Sequence, residues 1–144
     1  MKPKSILVAA LALSGLGDLM GGLGAVLDWR RMAVLMARWV PDWEPQRHAA
    51  ALGIVDDALR QLWANLGTAL IALGAAQIVA ALWVRREWLA GYDLARLIGW
   101  ALVVAGGLMA VVAGQRSSLA TEAMRGLILV VLAAWARPAG AAKA

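Results

Sequence analysis

The chain has 144 residues, no cysteine and one histidine, which excludes disulfides, thiolate metal sites and a bis-histidine haem within one chain. Hydrophobic residues make up 62% and charged residues 16%, against about 25% charged residues in soluble domains, and the mean hydropathy is +0.71. The net charge of +5 does not indicate nucleic-acid binding, because the basic residues lie at the ends of apolar runs. The composition therefore predicts a single all-α domain in a lipid bilayer, and no pattern calls for a cofactor or a metal.

The first predicted element is an apolar helix over residues 5–27, long enough to cross a membrane. A secretory signal peptide cleaved near Ser14 is the alternative, although the apolar stretch continues beyond that point. Asp18 lies roughly 13 Å from the outer end of this helix, where an ionisable group is costly unless it is paired, protonated or hydrated. It is either an acid or proton carrier in a membrane cavity, or a carboxyl that bonds Asn65, Gln77 or the backbone and fixes helix register.

Residues 28–57 form the only long polar region, and its first part is amphipathic. Residues 29–40 carry apolar side chains at helical spacing: Met32, Leu35, Met36 and Trp39. Two arginines, Arg31 and Arg38, lie toward another face, which predicts a helix in the membrane interface. A Pro-Asp-Trp-Glu-Pro run then breaks the chain. His48 follows in this loop and is expected to be solvated, with a catalytic or pH-sensing role as the alternative.

The second span, residues 62–84, contains no charged side chain and would extend roughly 35 Å as a helix. Asp56, Asp57 and Arg60 form a polar cluster just before it. A surface ion pair between Asp56 and Arg60 is one interpretation. The other is a pair of carboxylates that share a proton and perform acid–base chemistry.

The polar and aromatic side chains of the second span are candidates for a ligand site. Trp63, Asn65, Thr68 and Gln77 are the predicted ligand-binding residues, and interhelical hydrogen bonding is the alternative role for the three polar ones. Under an enzymatic interpretation, the catalytic candidates are Asp18, Asp56 and Asp57.

Two further spans complete the prediction, over residues 94–114 and 119–136, with a tight connection through Gly91 before the third. Glu122 and Arg125, near the start of the fourth, are spaced to pair. Small residues at every fourth position predict close helix packing and an integral membrane four-helix bundle with an amphipathic interfacial helix in its first external loop. The predicted packing positions are Gly17 and Gly21; Ala64, Thr68, Ala72, Ala76 and Ala80; and Gly106, Ala110 and Gly114.

The distribution of charge predicts the topology. The end that would hold the N-terminus, the 85–96 connection and the C-terminus carries seven basic and two acidic residues, and the opposite end carries seven and six. Basic residues are dense at the first end and diluted over a long loop at the second. We therefore expect both termini in the cytoplasm and the long first loop outside.

The stretches WANLGTALIALGAAQIVAAL and ARLIGWALVVAGGLMAVVAG, with four short spans and a long first external loop, resemble the DoxX-like group of small bacterial membrane proteins. This resemblance implies a four-helix bundle in the bacterial inner membrane. It also implies an accessory role, in some cases beside quinone-linked oxidoreductases. The absence of cysteine separates the chain from relatives that carry out thiol–quinone chemistry.

Three functional hypotheses follow from these patterns. The first is a non-enzymatic bundle that binds an apolar small molecule or serves as an accessory subunit, as a homodimer or with a membrane partner protein, and it predicts no connected polar cavity. The second is a membrane enzyme acting on a lipid or isoprenoid by carboxylate acid–base catalysis, and it predicts a pocket that reaches the carboxylates. The third is a proton-coupled exporter, which the long first loop and the biased charge disfavour.

Overall fold

All the regular structure in residues 2–39, 56–113 and 116–138, the part of the chain that the computed structural model describes, is α-helical. The helices there are α1 (Pro3–Leu27), α2 (Trp29–Trp39), α3 (Asp56–Arg85), α4 (Leu89–Ala113) and α5 (Arg116–Ala136). The all-α prediction is confirmed. His48 and the predicted proline-flanked break lie outside the described residues.

Helices α1 and α4 begin earlier in the sequence than predicted. α1 begins at Pro3, a residue suited to the first helical turn because its fixed φ is already helical. α4 begins at Leu89, five residues earlier than predicted, because Gly91 lies inside its first turn rather than in a connection. The Gly91 N–H donates to the carbonyl oxygen of Trp88 at 3.0 Å.

In the described part of the chain, three helices are long and apolar enough to cross a membrane: Pro3–Leu27, Asp57–Arg85 and Leu89–Leu108. Large apolar side chains on them, such as Leu13, Met20 and Leu97, are mostly exposed. Exposed apolar surface of this kind is unfavourable in water. These helices therefore indicate that the chain is a membrane protein and that it contacts a lipid bilayer. α5 is not one of the three, and the fourth span stays a prediction.

The chain divides into two compact units. The first unit comprises Met1–Leu16 and Gly74–Ala144, and the second comprises Gly17–Leu73. The core of the first unit combines side chains from four helices. They are Leu7 and Leu11 of α1, Gln77, Ala80, Ala81 and Val84 of α3, Tyr92, Ala95, Ile98 and Leu102 of α4, and Leu129 and Ala133 of α5.

Glycines bring helix backbones into contact in the first unit. A Cβ added to Gly99 would lie 2.7 Å from the carbonyl oxygen of Gly126, so α4 and α5 touch along their backbones. A Cβ added to Gly15 would lie 2.9 Å from the carbonyl oxygen of Gly74, which places α1 equally close to α3. Close backbone approach of this kind is how helices pack where apolar surroundings remove the hydrophobic driving force.

Ion pairs join three chain segments at one end of the first unit. Lys4, in the first turn of α1, bonds Glu87 in the turn between α3 and α4. Arg137, just after α5, donates to Asp93 of α4 at 3.0 Å. The N-terminal segment, the α3–α4 turn and the end of α5 therefore lie together.

The α3–α4 turn is a Schellman motif. Glu87 adopts a left-handed backbone conformation with φ 64°, its N–H donates to the Val84 carbonyl at 3.0 Å, and the Trp88 N–H donates to the Trp83 carbonyl at 3.0 Å. The indoles of Trp83 and Trp88 supply the apolar contact that accompanies this motif, with ring centroids 6.1 Å apart. The turn is thus fixed by both backbone and side chains.

Candidate functional site

The candidate site lies in the second unit, and its geometry begins with the cap of α2. The Asp28 carboxylate accepts a hydrogen bond from the backbone N–H of Arg31 at 3.1 Å, so Asp28 is the N-cap of α2. The Asp28 N–H donates to the Gly24 carbonyl at 2.9 Å, which closes the last turn of α1. One residue therefore ends α1, starts α2 and sets the angle between them.

An apolar cluster holds α2 against the ends of α1 and α3. Ala25, Ala33 and Trp63 are buried there, and Trp29 and Met32 pack on them. Leu35, on the apolar face that predicted an interfacial helix, is 39% exposed and lies outside this cluster. A tight contact between α1 and α3 lies nearby, because a Cβ added to Gly22 would be 2.6 Å from the Gly67 carbonyl oxygen.

Two adjoining cavities of about 450 Å³ and 460 Å³ open beside this cluster. Both are lined by Val26, Trp29, Asp57 and Arg60. The first adds Leu27, Asp28 and Arg30, and the second adds Ala25, Gln61 and Ala64. The site therefore places apolar walls from α1 and α2 next to charged side chains from the first turns of α3.

Some charged side chains of the site already interact with other described residues, and others do not. Asp28 is occupied as the cap of α2, and the Arg30 guanidinium lies 5.4 Å from the centre of the Trp29 ring. Asp57 and Arg60, one turn apart on α3, form no ion pair or side-chain hydrogen bond with any residue that the structure describes. They are the carboxylate and the guanidinium that a ligand would meet.

The predicted catalytic residues do not converge in the described part of the chain. Asp57 lines both cavities, while Asp18 lines neither and is buried in the second unit with 7% of its surface exposed. Gly15 and Gly22, on the same face of α1 as Asp18, are also buried, as expected of a small-residue face. The side chain of Asp56 lies outside the described residues, so its predicted pairing with Arg60 does too.

The predicted ligand-binding residues of α3 are also spread apart. Trp63 is buried in the apolar cluster and lines neither cavity, and Gln77 is fully buried in the first unit. Asn65 accepts a hydrogen bond from Gln61 at 2.9 Å, and the Thr68 hydroxyl donates to the Ala64 carbonyl at 2.8 Å. These two bonds run within α3, so the interhelical bonds expected of Asn65 and Thr68 are not what the structure shows.

Asp57 is the one lining residue that the sequence analysis predicted as part of a site, and Trp29 and Arg60 are two that it missed. Trp29 was grouped only with the interfacial segment, and Arg60 only with a surface ion pair. Their signal was the position of Asp28 directly before an amphipathic helix, which predicts a cap and hence a sharp angle between α1 and α2. Such an angle opens a space that the next helix can line.

The chain matches no protein-family model, no curated protein and no solved structure. The resemblance to DoxX-like proteins therefore stays a prediction. The helices and the cavities define the class of protein by themselves: an all-α membrane protein with charged cavities beside its second helix.

Proposed function

We propose that this chain is an integral membrane protein that binds an amphipathic molecule with a zwitterionic head group. The observation that carries the proposal is the pair of cavities in which Asp57 and Arg60 adjoin apolar side chains. A guanidinium favours phosphate or carboxylate oxygens, and a carboxylate favours an ammonium group. Ala25, Val26 and Ala64 would contact the apolar part of the same molecule.

The charged lining of the cavities supports an amphipathic ligand over an apolar one. The non-enzymatic hypothesis predicted no connected polar cavity, and Asp57 and Arg60 line both cavities. A purely apolar ligand would cover part of Asp57 and Arg60, which are exposed, without offering either charge a partner. A molecule with one charge of each sign compensates both groups, so the proposed ligand is an amphiphile such as a phospholipid with a primary ammonium.

The proposed setting is the bacterial inner membrane with both termini in the cytoplasm. In it α1, α3, α4 and α5 form a four-helix bundle, and α2 lies in the outer interface with its exposed Val34 and Leu35 toward the acyl chains. This setting would present the cavities to lipid head groups of the outer leaflet. A membrane partner protein or a second copy of the chain would be an additional, separate partner.

Acid–base catalysis is not favoured as the function. Of the two carboxylate sites expected for it, Asp18 lines neither cavity, and the side chain of Asp56, the expected partner of Asp57, lies outside the described residues. The proposed role is therefore binding, with Arg60 and Asp57 holding the head group and Trp29 forming the wall beside it.

The test is binding of three lysophospholipids to the purified protein in detergent micelles, measured by equilibrium dialysis. Lysophosphatidylethanolamine should bind best, ahead of lysophosphatidylcholine with its quaternary ammonium and lysophosphatidylglycerol, whose anionic head group carries no ammonium. Arg60→Gln should weaken all three by roughly tenfold or more, since a hydrogen bond to a charged group contributes about 1.5–3 kcal/mol. Asp57→Asn should weaken lysophosphatidylethanolamine alone.

Arg31→Gln is the matched control, because Arg31 is exposed on α2 and lines neither cavity. It should bind all three lipids as the unmodified protein does. Equal affinity for the three lipids, unchanged by Arg60→Gln and Asp57→Asn in variants that keep their helical circular dichroism, would refute the proposal.

A further inference from the structure

The first unit carries cations that no acid neutralises. Its sequence contains three acidic residues, Glu87, Asp93 and Glu122. Each is engaged, by Lys4, by Arg137 at 3.0 Å and by Arg125 at 2.7 Å, respectively. Four further cations are exposed and form no ion pair with a described residue: Lys2, Arg85, Arg86 and Arg96.

Three of these cations surround the α3–α4 turn. Arg85 ends α3, Arg86 follows it in the turn, and Lys2 lies close enough to Glu87 to act on its charge. We call Lys2, Arg85 and Arg86 the basic turn. Lys4 pairs with Glu87, and Lys2, Arg85 and Arg86 are exposed, so the basic turn presents positive charge at the surface.

An aromatic side chain completes this surface. Trp88 is 50% exposed, although its ring packs on Trp83, and the Arg86 guanidinium lies 5.6 Å from the centre of the Trp88 ring. The Schellman motif fixes the Trp88 backbone. The basic turn therefore presents a positioned guanidinium next to an amphipathic ring, at the end of two helices that are apolar enough to cross a membrane.

We propose that the basic turn and Trp88 form a binding site for the phosphate head group of an anionic phospholipid. Arg86 donates to the phosphate oxygens, Arg85 and Lys2 contribute positive potential, and Trp88 lies at the level of the glycerol backbone. Indoles favour this depth, and basic clusters beside transmembrane helices attract anionic lipids. The site is in the first unit and does not depend on the cavities of the second.

The experiment reconstitutes the full chain into nanodiscs of phosphatidylcholine and phosphatidylglycerol. Native mass spectrometry then gives the ratio of the two lipids that remain bound after release. The unmodified protein should retain phosphatidylglycerol preferentially. Arg86→Gln should reduce that preference roughly fivefold, the equivalent of about 1 kcal/mol for one basic residue near the surface. Arg86→Lys should keep most of it, and Arg31→Gln, outside the basic turn, should leave it unchanged.

Three results would overturn the proposal. The first is equal retention of both lipids by the unmodified protein. The second is an equal loss of preference in Arg86→Gln and Arg31→Gln, which would mean a diffuse charge effect. The third is loss of the preference in inorganic phosphate but not in chloride of equal ionic strength, which would identify a free-anion site.

Discussion

Gly21 and Gly22 are neighbours in α1, yet an added methyl group would meet different surroundings at each. A Cβ on Gly22 would lie 2.6 Å from the Gly67 carbonyl oxygen and 2.9 Å from the backbone nitrogen of Ile71, neither of which can rotate away. Nothing lies within 4 Å of a Cβ on Gly21. We expect Gly22→Ala to lower the free energy of unfolding by roughly 1–3 kcal/mol because α1 and α3 must separate.

Gly21→Ala is the control for this prediction and should be neutral or stabilising by up to about 1 kcal/mol, since alanine favours a helix more than glycine does. Thermal unfolding in detergent micelles measures both variants. Equal midpoints for the two would show that the Gly22–Gly67 contact is not tight.

The ion pair between Glu87 and Lys4 is expected to make the stability of the fold depend on pH. The hydrogen bond and the charge of Lys4 hold the pKa of the Glu87 carboxyl below its ordinary value of 4.5, and Lys2 acts in the same direction. A folded-state pKa below the unfolded one stabilises the fold above pH 4.5, and this contribution is lost as the pH falls through the lowered value. Lys4→Gln should therefore unfold at a lower temperature than the unmodified protein at pH 7, and the difference should shrink below pH 4.5.

The measurement is the unfolding midpoint between neutral and acidic pH for the unmodified protein, Lys4→Gln and Arg85→Gln. Arg85 is close in sequence but does not bond Glu87. A difference between Lys4→Gln and the unmodified protein that stays constant with pH would contradict the prediction.

Residue-level patterns predicted the principle of helix packing but chose the wrong glycines. α1 offers two sets of small residues, and the sequence favoured Gly17 and Gly21 at a four-residue spacing. The structure uses Gly15 and Gly22, seven residues apart, and leaves Gly17 in open space. The two faces are equally small, so only the partner helix decides between them, and the position of that helix depends on long-range contacts.

At the scale of the element, α2 depends on its cap. Asp28→Ala removes the acceptor of the Arg31 N–H, and such a change typically costs about 1 kcal/mol. Because α2 has only 11 residues, the loss should appear as faster amide hydrogen exchange throughout α2. Asp28→Asn should retain protection, since asparagine also caps helices. Equal exchange in both variants would mean that the apolar cluster alone holds α2.

The lengths of the apolar stretches predicted the membrane-spanning helices. They did not predict how the helices come together to form the candidate site. Residues 62–84 had no alternative to a helix in lipid, and α3 indeed contains them. The turn at Asp28 was predictable, but the cavities were not, because they also require α3 to pass beside that turn. The sequence analysis singled out Asp57 because Asp56 precedes it. In the structure, Asp57 lines the cavities together with Arg60, one turn later on the same helix.

At the scale of the whole molecule, the proposed four crossings place residues 2 and 138 on one side of the membrane. The chain contains no cysteine, so single cysteines can be introduced without background. We expect Lys2→Cys and Pro138→Cys to be protected from a membrane-impermeant maleimide in intact cells. Arg31→Cys should react in the same cells, since α2 would face outward.

Permeabilised cells provide the control, in which all three cysteines should react. Protection of Lys2→Cys together with labelling of Pro138→Cys would show that α5 does not cross the membrane. The four-helix bundle would then be wrong, while the cavities of the second unit would be unaffected.

The ion pair between Lys4 and Glu87 also has a consequence for biosynthesis. The two residues are 83 positions apart, and at about 5–20 residues per second a ribosome needs roughly 4–17 seconds to extend the chain from one to the other. During that interval Lys4 is an unneutralised cation beside the nascent α1, and basic residues at this position hold a chain end in the cytoplasm. Once α3 has been made, the same ammonium group bonds Glu87. In the proposed topology, Lys4 would therefore orient the first helix during insertion, and it would bond the α3–α4 turn afterwards.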